Sequence, residues 1–179
     1  MSLHGVSKGA WGRKNDSNFR HYDVVSAGYK YNMMDLQAAL GISQLLDVMK
    51  NWSRRRMIWN KYISLLAGLP LIFPSDAPAG SRHGHHLFAV QVRDDAVDAG
   101  ISRDFLIERL TSLGIGVGVH YHALTEFSYF RRNFGWNPDD TPVATKIGRR
   151  TLSLPLNQYL SDQDVDRIVL AVRQCFENA

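Results

Sequence analysis

Gly28-Tyr29-Lys30-Tyr31-Asn32-Met33-Met34-Asp35-Leu36-Gln37-Ala38-Ala39-Leu40-Gly41 is a polar and aromatic approach that runs into a long helical pattern. Gly28 permits a tight turn, Lys30 and Asn32 bring side-chain donors, and Asp35 is a favourable charge for a helix N-terminus. Beyond it Ala38, Ile42, Leu45, Leu46, Met49, Trp52, Trp59, Ile63 and Leu66 recur at helical spacing, and Gly68 with Pro70 closes the run. The spacing predicts a helix over 34–68, a rod of roughly 50 Å or two helices with a kink. A helix of that length links or buttresses domains. Donors ahead of it serve either as a simple cap or as a site for an anion.

Working outward, 179 residues of which 45% are apolar and 21% charged are enough for one good core and too mixed for disorder. A net charge of +4 is compatible with an anionic ligand and falls short of a nucleic-acid-binding arm. The lone Cys175 excludes a disulfide framework and points to a reducing compartment. No apolar run reaches membrane-spanning length and the N-terminus has no apolar secretory core, so the expected location is the cytoplasm, with no membrane partner. Residues 4–27 read as an irregular, exposed lead-in with Trp11, Phe19 and Tyr22 as loop anchors.

Downstream, Pro70, Pro74, Pro78 and Gly80 mark a connection with little regular structure. His85–Val92 reads as a strand, Ser102 caps a helix over Arg103–Leu113, and Ile115–Tyr121 reads as a second strand, giving a strand, helix, strand unit. Residues 122–140 read as a loop in which Phe127, Tyr129, Phe130, Phe134 and Trp136 tie down an insertion. Pro142 opens a short helix ending near Arg150, and Leu152-Ser153-Leu154 is a brief strand. Ser161 with Asp164 caps a last helix that buries Val165, Ile168, Val169, Val172 and Phe176.

Three constellations carry chemistry. The first is Tyr29-Lys30-Tyr31-Asn32 ahead of the long helix. The second is His83, His85 and His86, where strand alternation sets His86 on the face opposite the other two and makes a shared metal awkward. The third is His120-Tyr121-His122, ending the glycine-spaced Gly114-Ile115-Gly116-Val117-Gly118. These glycines fall at every second position with no helix after them, unlike a dinucleotide fingerprint, and read as a strand approached by another backbone. No metal site is assigned. Arg54-Arg55-Arg56 reads as a solvated face in preference to a phosphate site.

In order and spacing, residues 28–41, Arg54-Arg55-Arg56, His86-Leu87-Phe88, Gly114–Tyr121 and Leu152-Ser153-Leu154-Pro155-Leu156 resemble the DegT/StrS family of sugar-nucleotide aminotransferases. Within that family the Lys and Asn form of the first motif is similar to enzymes of the UDP-4-amino-4-deoxyarabinose synthase type. The resemblance implies an α/β fold: the small C-terminal domain of a fold-type I PLP-dependent aminotransferase with a long interdomain helix. It divides the chain into a lead-in with the cofactor-phosphate motif (1–33), the interdomain helix (34–68) and the small domain (69–179).

The same resemblance implies PLP as cofactor, glutamate and a nucleotide-linked keto sugar as substrates, a homodimer, and a place in cell-surface polysaccharide or lipopolysaccharide biosynthesis. Lys30 and Asn32 would reach the partner's cofactor phosphate, while Tyr31, His86, His120 and Tyr121 would face the sugar nucleotide. No catalytic residue is implied here, because none of Lys8, Lys14, Lys30, Lys50, Lys61 or Lys146 matches the family's Schiff-base lysine. The chain alone is therefore expected to be inactive and to self-associate through its exposed helix, with Trp52 and Trp59 among the contacts. A non-enzymatic dimerisation or binding module, and a weakly basic nucleic-acid binder using Arg54–Arg56, are the alternatives.

Overall fold

The computed structural model describes residues 4–6 and 23–177, so Trp11, Phe19, Tyr22, Lys8 and Lys14 lie outside the described part. The chain divides into two compact units, Met1–Val48 and Met49–Ala179. In the first, Val6 and Val24 form an isolated antiparallel bridge, and the His4 N–H donates to Tyr29 O at 2.9 Å. Helix α1 (Asp35–Leu65) starts at the acidic residue, where the Gln37 side-chain oxygen accepts the Met34 N–H at 3.1 Å and satisfies one donor that a first turn leaves unpaired. Up to Val48 its large apolar side chains are exposed, Leu46 at 84%.

The second unit is built on a three-stranded antiparallel sheet in the order β1 (Leu71–Ile72), β2 (Phe88–Val92), β3 (Thr151–Leu154). Along β2, buried Phe88, Val90 and Val92 alternate with half-buried Ala89 and Gln91, the pattern of a strand with one face on a core. Against that face α1 sets Ile58, Trp59 and Tyr62, with Leu66 just past its end. Helices α2 (Asp94–Asp98), α3 (Arg103–Ser112), α4 (Ser128–Phe134) and α5 (Pro142–Arg150) follow β2 and precede β3. Helix α6 (Asp162–Glu177) closes the core with Val165, Ile168, Val169, Ala171, Val172 and Cys175. Burial pushes the Cys175 thiol up, so it stays protonated and acts as a small apolar group.

Charge fixes α1 to α6 around this core. Arg54 donates to Asp162 Oδ1 at 2.8 Å and to Leu160 O at 2.5 Å, Lys61 pairs with Asp166 at 2.6 Å, and Arg173 donates to Leu65 O at 2.8 Å. The hydrogen bond from Arg54 holds the Asp162 carboxyl below its usual range. Arg54 is thus a structural clamp and not part of a solvated stripe.

The expected caps form. Ser102 Oγ accepts the Phe105 N–H at 3.1 Å, and Ser161 and Asp164 bond reciprocally at the head of α6. Four expectations are corrected. The strand over His85–Val92 begins only at Phe88, because His85 takes a left-handed backbone (φ +45°). Ile115–Tyr121 is not a strand, since only Gly118 pairs, with Ser153. Residues 122–140 hold α4 and two short 3-10 turns, and their aromatics pack on one another, Phe130 against Trp136 at 4.9 Å and 6°. Trp59 is 3% exposed and cannot be a surface contact for self-association.

Candidate functional site

In the first unit, residues 29–32 sort by alternation. The Tyr29 and Tyr31 rings stack 4.9 Å apart with planes 5° from parallel, and the Lys30 ammonium donates to Asn32 Oδ1. All four are exposed. With its oxygen engaged, Asn32 has only its NH₂ to offer a ligand, beside an ammonium with two further protons. That is a donor set for a phosphate, combining a point charge with a directed amide.

In the second unit the segment after the glycines is placed by one bridge. The Gly118 N–H donates to Ser153 O at 3.1 Å and the Ser153 N–H donates to Gly118 O at 2.7 Å. Two residues on, His120 Nδ1 meets Ser153 Oγ at 2.9 Å, which leaves Nε2 for a ligand. The His120 ring folds back over Gly118, where a Cβ would stand 2.8 Å from its Cε1. The close approach at Gly118 is therefore made by a side chain, while a Cβ at Gly116 would meet nothing. Tyr121 stands edge-on to His120 at 4.8 Å and is 72% exposed.

Helix α5 backs this segment. Its Gly148 lies against Tyr121 O and the Ala123 N–H, and its Arg149 pairs with Glu126 at 2.7 Å, Glu126 lying 4.0 Å from His122. Lys146 and Arg150 both bond Asp94 at the head of α2, and these bonds, Lys146 first, hold its carboxyl below the usual range. Buried Arg103 donates to Gly148 O at 3.2 Å beneath the helix.

His86 is exposed and lies elsewhere. Ser153 pairs with Ala89 on one side and Gly118 on the other, both antiparallel, so β2 and the 118 segment run in the same direction. His86 precedes this row and His120 follows it, at opposite ends of the sheet. His83 and His85 do share a side, with ring centres 4.7 Å apart. Ser153 is the site residue that spacing alone misses. Its signal is a lone hydroxyl inside the apolar run Leu152–Leu156. Among the described residues no group of three or more His, Cys, Asp or Glu is arranged to hold a metal ion, and no helix is long and apolar enough to cross a membrane.

The chain is 38% identical over 180 residues to the spore coat polysaccharide biosynthesis protein SpsC of Bacillus subtilis, covering 100% of this chain and 46% of SpsC. The PMP-form of Spr1654 from Streptococcus pneumoniae, assigned as a sugar aminotransferase, superposes with a TM-score of 0.79 at 30% identity, covering 99% of this chain and 43% of that one. Helicobacter pylori PseC, an aminotransferase involved in pseudoaminic acid biosynthesis, shares the fold at 22% identity and a TM-score of 0.74, with 98% and 44% covered. The chain thus spans less than half the length of these relatives. Its mixed α/β fold is that of a part of PLP-dependent aminotransferases. Residues 1–173 match the DegT/DnrJ/EryC1/StrS aminotransferase family, and the chain belongs to it.

Proposed function

We propose that the chain is the C-terminal part of a cytoplasmic, homodimeric, PLP-dependent enzyme that moves an amino group from glutamate to a nucleotide-linked keto sugar for cell-surface polysaccharide or lipopolysaccharide biosynthesis. The observation that carries this reading is the family match over residues 1–173, and the likeness to SpsC supports the polysaccharide setting. In this proposal 1–33 hold the cofactor-phosphate motif, 34–68 the interdomain helix and 69–179 the small domain. Bound PLP would supply the electron sink for amino transfer.

This chain's own residues would bind and orient. The Lys30 ammonium and Asn32 amide would donate to the cofactor phosphate, and Tyr31, stacked on Tyr29, would face the sugar nucleotide. His120 binds the sugar nucleotide through Nε2 while Ser153 fixes its ring, and Tyr121 offers an exposed phenol beside it. His86 contacts the extended ligand from the other end of the sheet.

Two measurements test the proposal. In the full-length enzyme, Lys30→Ala is expected to weaken PLP retention about tenfold by removing a charged hydrogen bond, with folding unchanged for so exposed a residue. Unaltered retention would remove Lys30 from the site. The 179-residue chain, mixed with PLP and reduced with borohydride, is expected to give no stoichiometric lysine adduct and no amino transfer from glutamate. A stoichiometric adduct with transfer would overturn the division of labour proposed here.

A further inference from the structure

Beside the second half of α1 lies a cleft of about 440 Å³ that uses none of the residues assigned above. Its floor is aromatic and its rim is cationic. The Trp52 indole N–H donates to His83 O at 2.7 Å, which fixes the ring and the loop together. Over that ring sit two guanidinium groups, Arg56 at 5.3 Å and Arg82 at 5.1 Å from its centre. Cation–π contact holds both without consuming their N–H forks. Among the described residues neither has a carboxylate at ion-pair distance, and Arg82 makes only a 3.4 Å contact to Met49 Sδ.

The histidines add a second observation. The His83 and His85 rings lie 4.6 Å and 4.9 Å from that of Trp59, and the His85 N–H donates to His83 Nδ1 at 2.9 Å. In neutral His83 the proton therefore sits on Nε2, which is a donor. His85 is only 8% exposed, and its Nδ1 is buried with no hydrogen-bond partner among the described residues. A buried polar atom left unpaired calls for a ligand or another explanation. Burial, then the charges of His83, Arg56 and Arg55, hold His85 below its ordinary pKa, and Asp76 opposes them. The surroundings thus carry an excess of positive charge that an anion would relieve.

We infer that this cleft binds an organic phosphate, its oxyanion held by Arg56 and Arg82 and its organic part against the half-buried Trp52 and His83. Phosphate suits the planar forks, which bind oxyanions bidentately. The volume exceeds that of an inorganic ion and lies in the range of small-molecule sites, so a monoester of hexose or nucleoside size fits. Asp76 on the rim disfavours a second anionic group beside it. The inference stands apart from the proposed aminotransferase reading, because the cleft shares no lining residue with Lys30, Asn32, His120 or Tyr121.

The test is calorimetric titration of the 179-residue chain with glucose 1-phosphate, adenosine 5′-monophosphate and inorganic phosphate, with glucose and adenosine as uncharged controls. Saturable binding of at least one ester, at least tenfold tighter than inorganic phosphate and its uncharged control, is expected. Arg82→Gln and Arg56→Gln are each expected to weaken it at least tenfold. Both residues are exposed, so circular dichroism should show unchanged folding. Binding of neither ester, equal binding of ester and inorganic phosphate, or ester binding indifferent to both substitutions would each overturn the inference. Preference for glucose 1-phosphate or for the nucleotide identifies which organic group the aromatic floor accepts.

Discussion

Phe88→Ala is expected to destabilise the protein by about 3–5 kcal/mol, the range for truncating a fully buried aromatic. Phe88 has no exposed surface and is the ring on which three other aromatic rings converge. Trp59 meets it edge-on at 4.9 Å and 86°, Tyr62 lies at 5.0 Å and Phe73 at 6.3 Å. The walls of the resulting cavity cannot easily collapse. The Tyr62 hydroxyl is tied to Pro155 O at 2.8 Å, and Arg54, Lys61 and Arg173 bind the same stretch of α1 to α6 and the turn before it. Since whole domains are stable by about 5–15 kcal/mol, about a fifth or more of the total is at stake. Urea unfolding should show a lower midpoint at an unchanged slope. A loss below about 1.5 kcal/mol would mean that the helix and sheet close over the gap.

That core was partly legible. Helical spacing marks Trp59 and Ile63 on α1 and Leu66 just past it, yet Ile58 and Tyr62 complete the buried face, and Ile42, Leu45 and Leu46 are exposed. Spacing reports which residues share a face and not whether anything covers it. Capping chemistry did better, because Ser102, Pro142 and the Ser161–Asp164 pair act within one turn of the helices they start. Strand pairing is non-local, and there the sequence misled. The alternating residues of 115–121 had a strand-like look, but their partner β3 ends at Leu154, before Pro155, which has no N–H to extend a ladder.

The site shows the same divide. Lys30 and Asn32 meet across two residues, and their pairing could be read from alternation alone. His120 and Ser153 are 33 positions apart, joined only because Gly118 and Ser153 happen to face each other. His83 and His85 share a side as alternation predicts, though by a local left-handed turn and a side-chain hydrogen bond and not by a strand. The run of three arginines dissolved into separate tasks. Arg54 ties two helices together and Arg56 lies over an indole, distinctions that charge counting cannot draw.

Gly148→Val should link stability and site in one measurement. A glycine inside α5 carries a helix-propensity penalty of about 1 kcal/mol against alanine, so a contact must require it. A Cβ there would stand 2.8 Å from Ala123 N, 3.1 Å from Tyr121 O and 3.2 Å from His122 Cα, all main-chain atoms that cannot rotate away. Nor can α5 simply retreat, because Lys146 and Arg150 hold Asp94 and Arg149 holds Glu126. The 121–123 segment must give instead, and it carries His120 with it. We expect a loss of about 2–3 kcal/mol, the upper range of overpacking, together with rupture of the His120–Ser153 hydrogen bond. Denaturant melts measure the first, and the imidazole resonances of His120 by NMR report the second. Gly148→Ala should show both effects in weaker form. A valine variant of normal stability with unshifted His120 resonances would show that α5 does not position the His120–Tyr121 step.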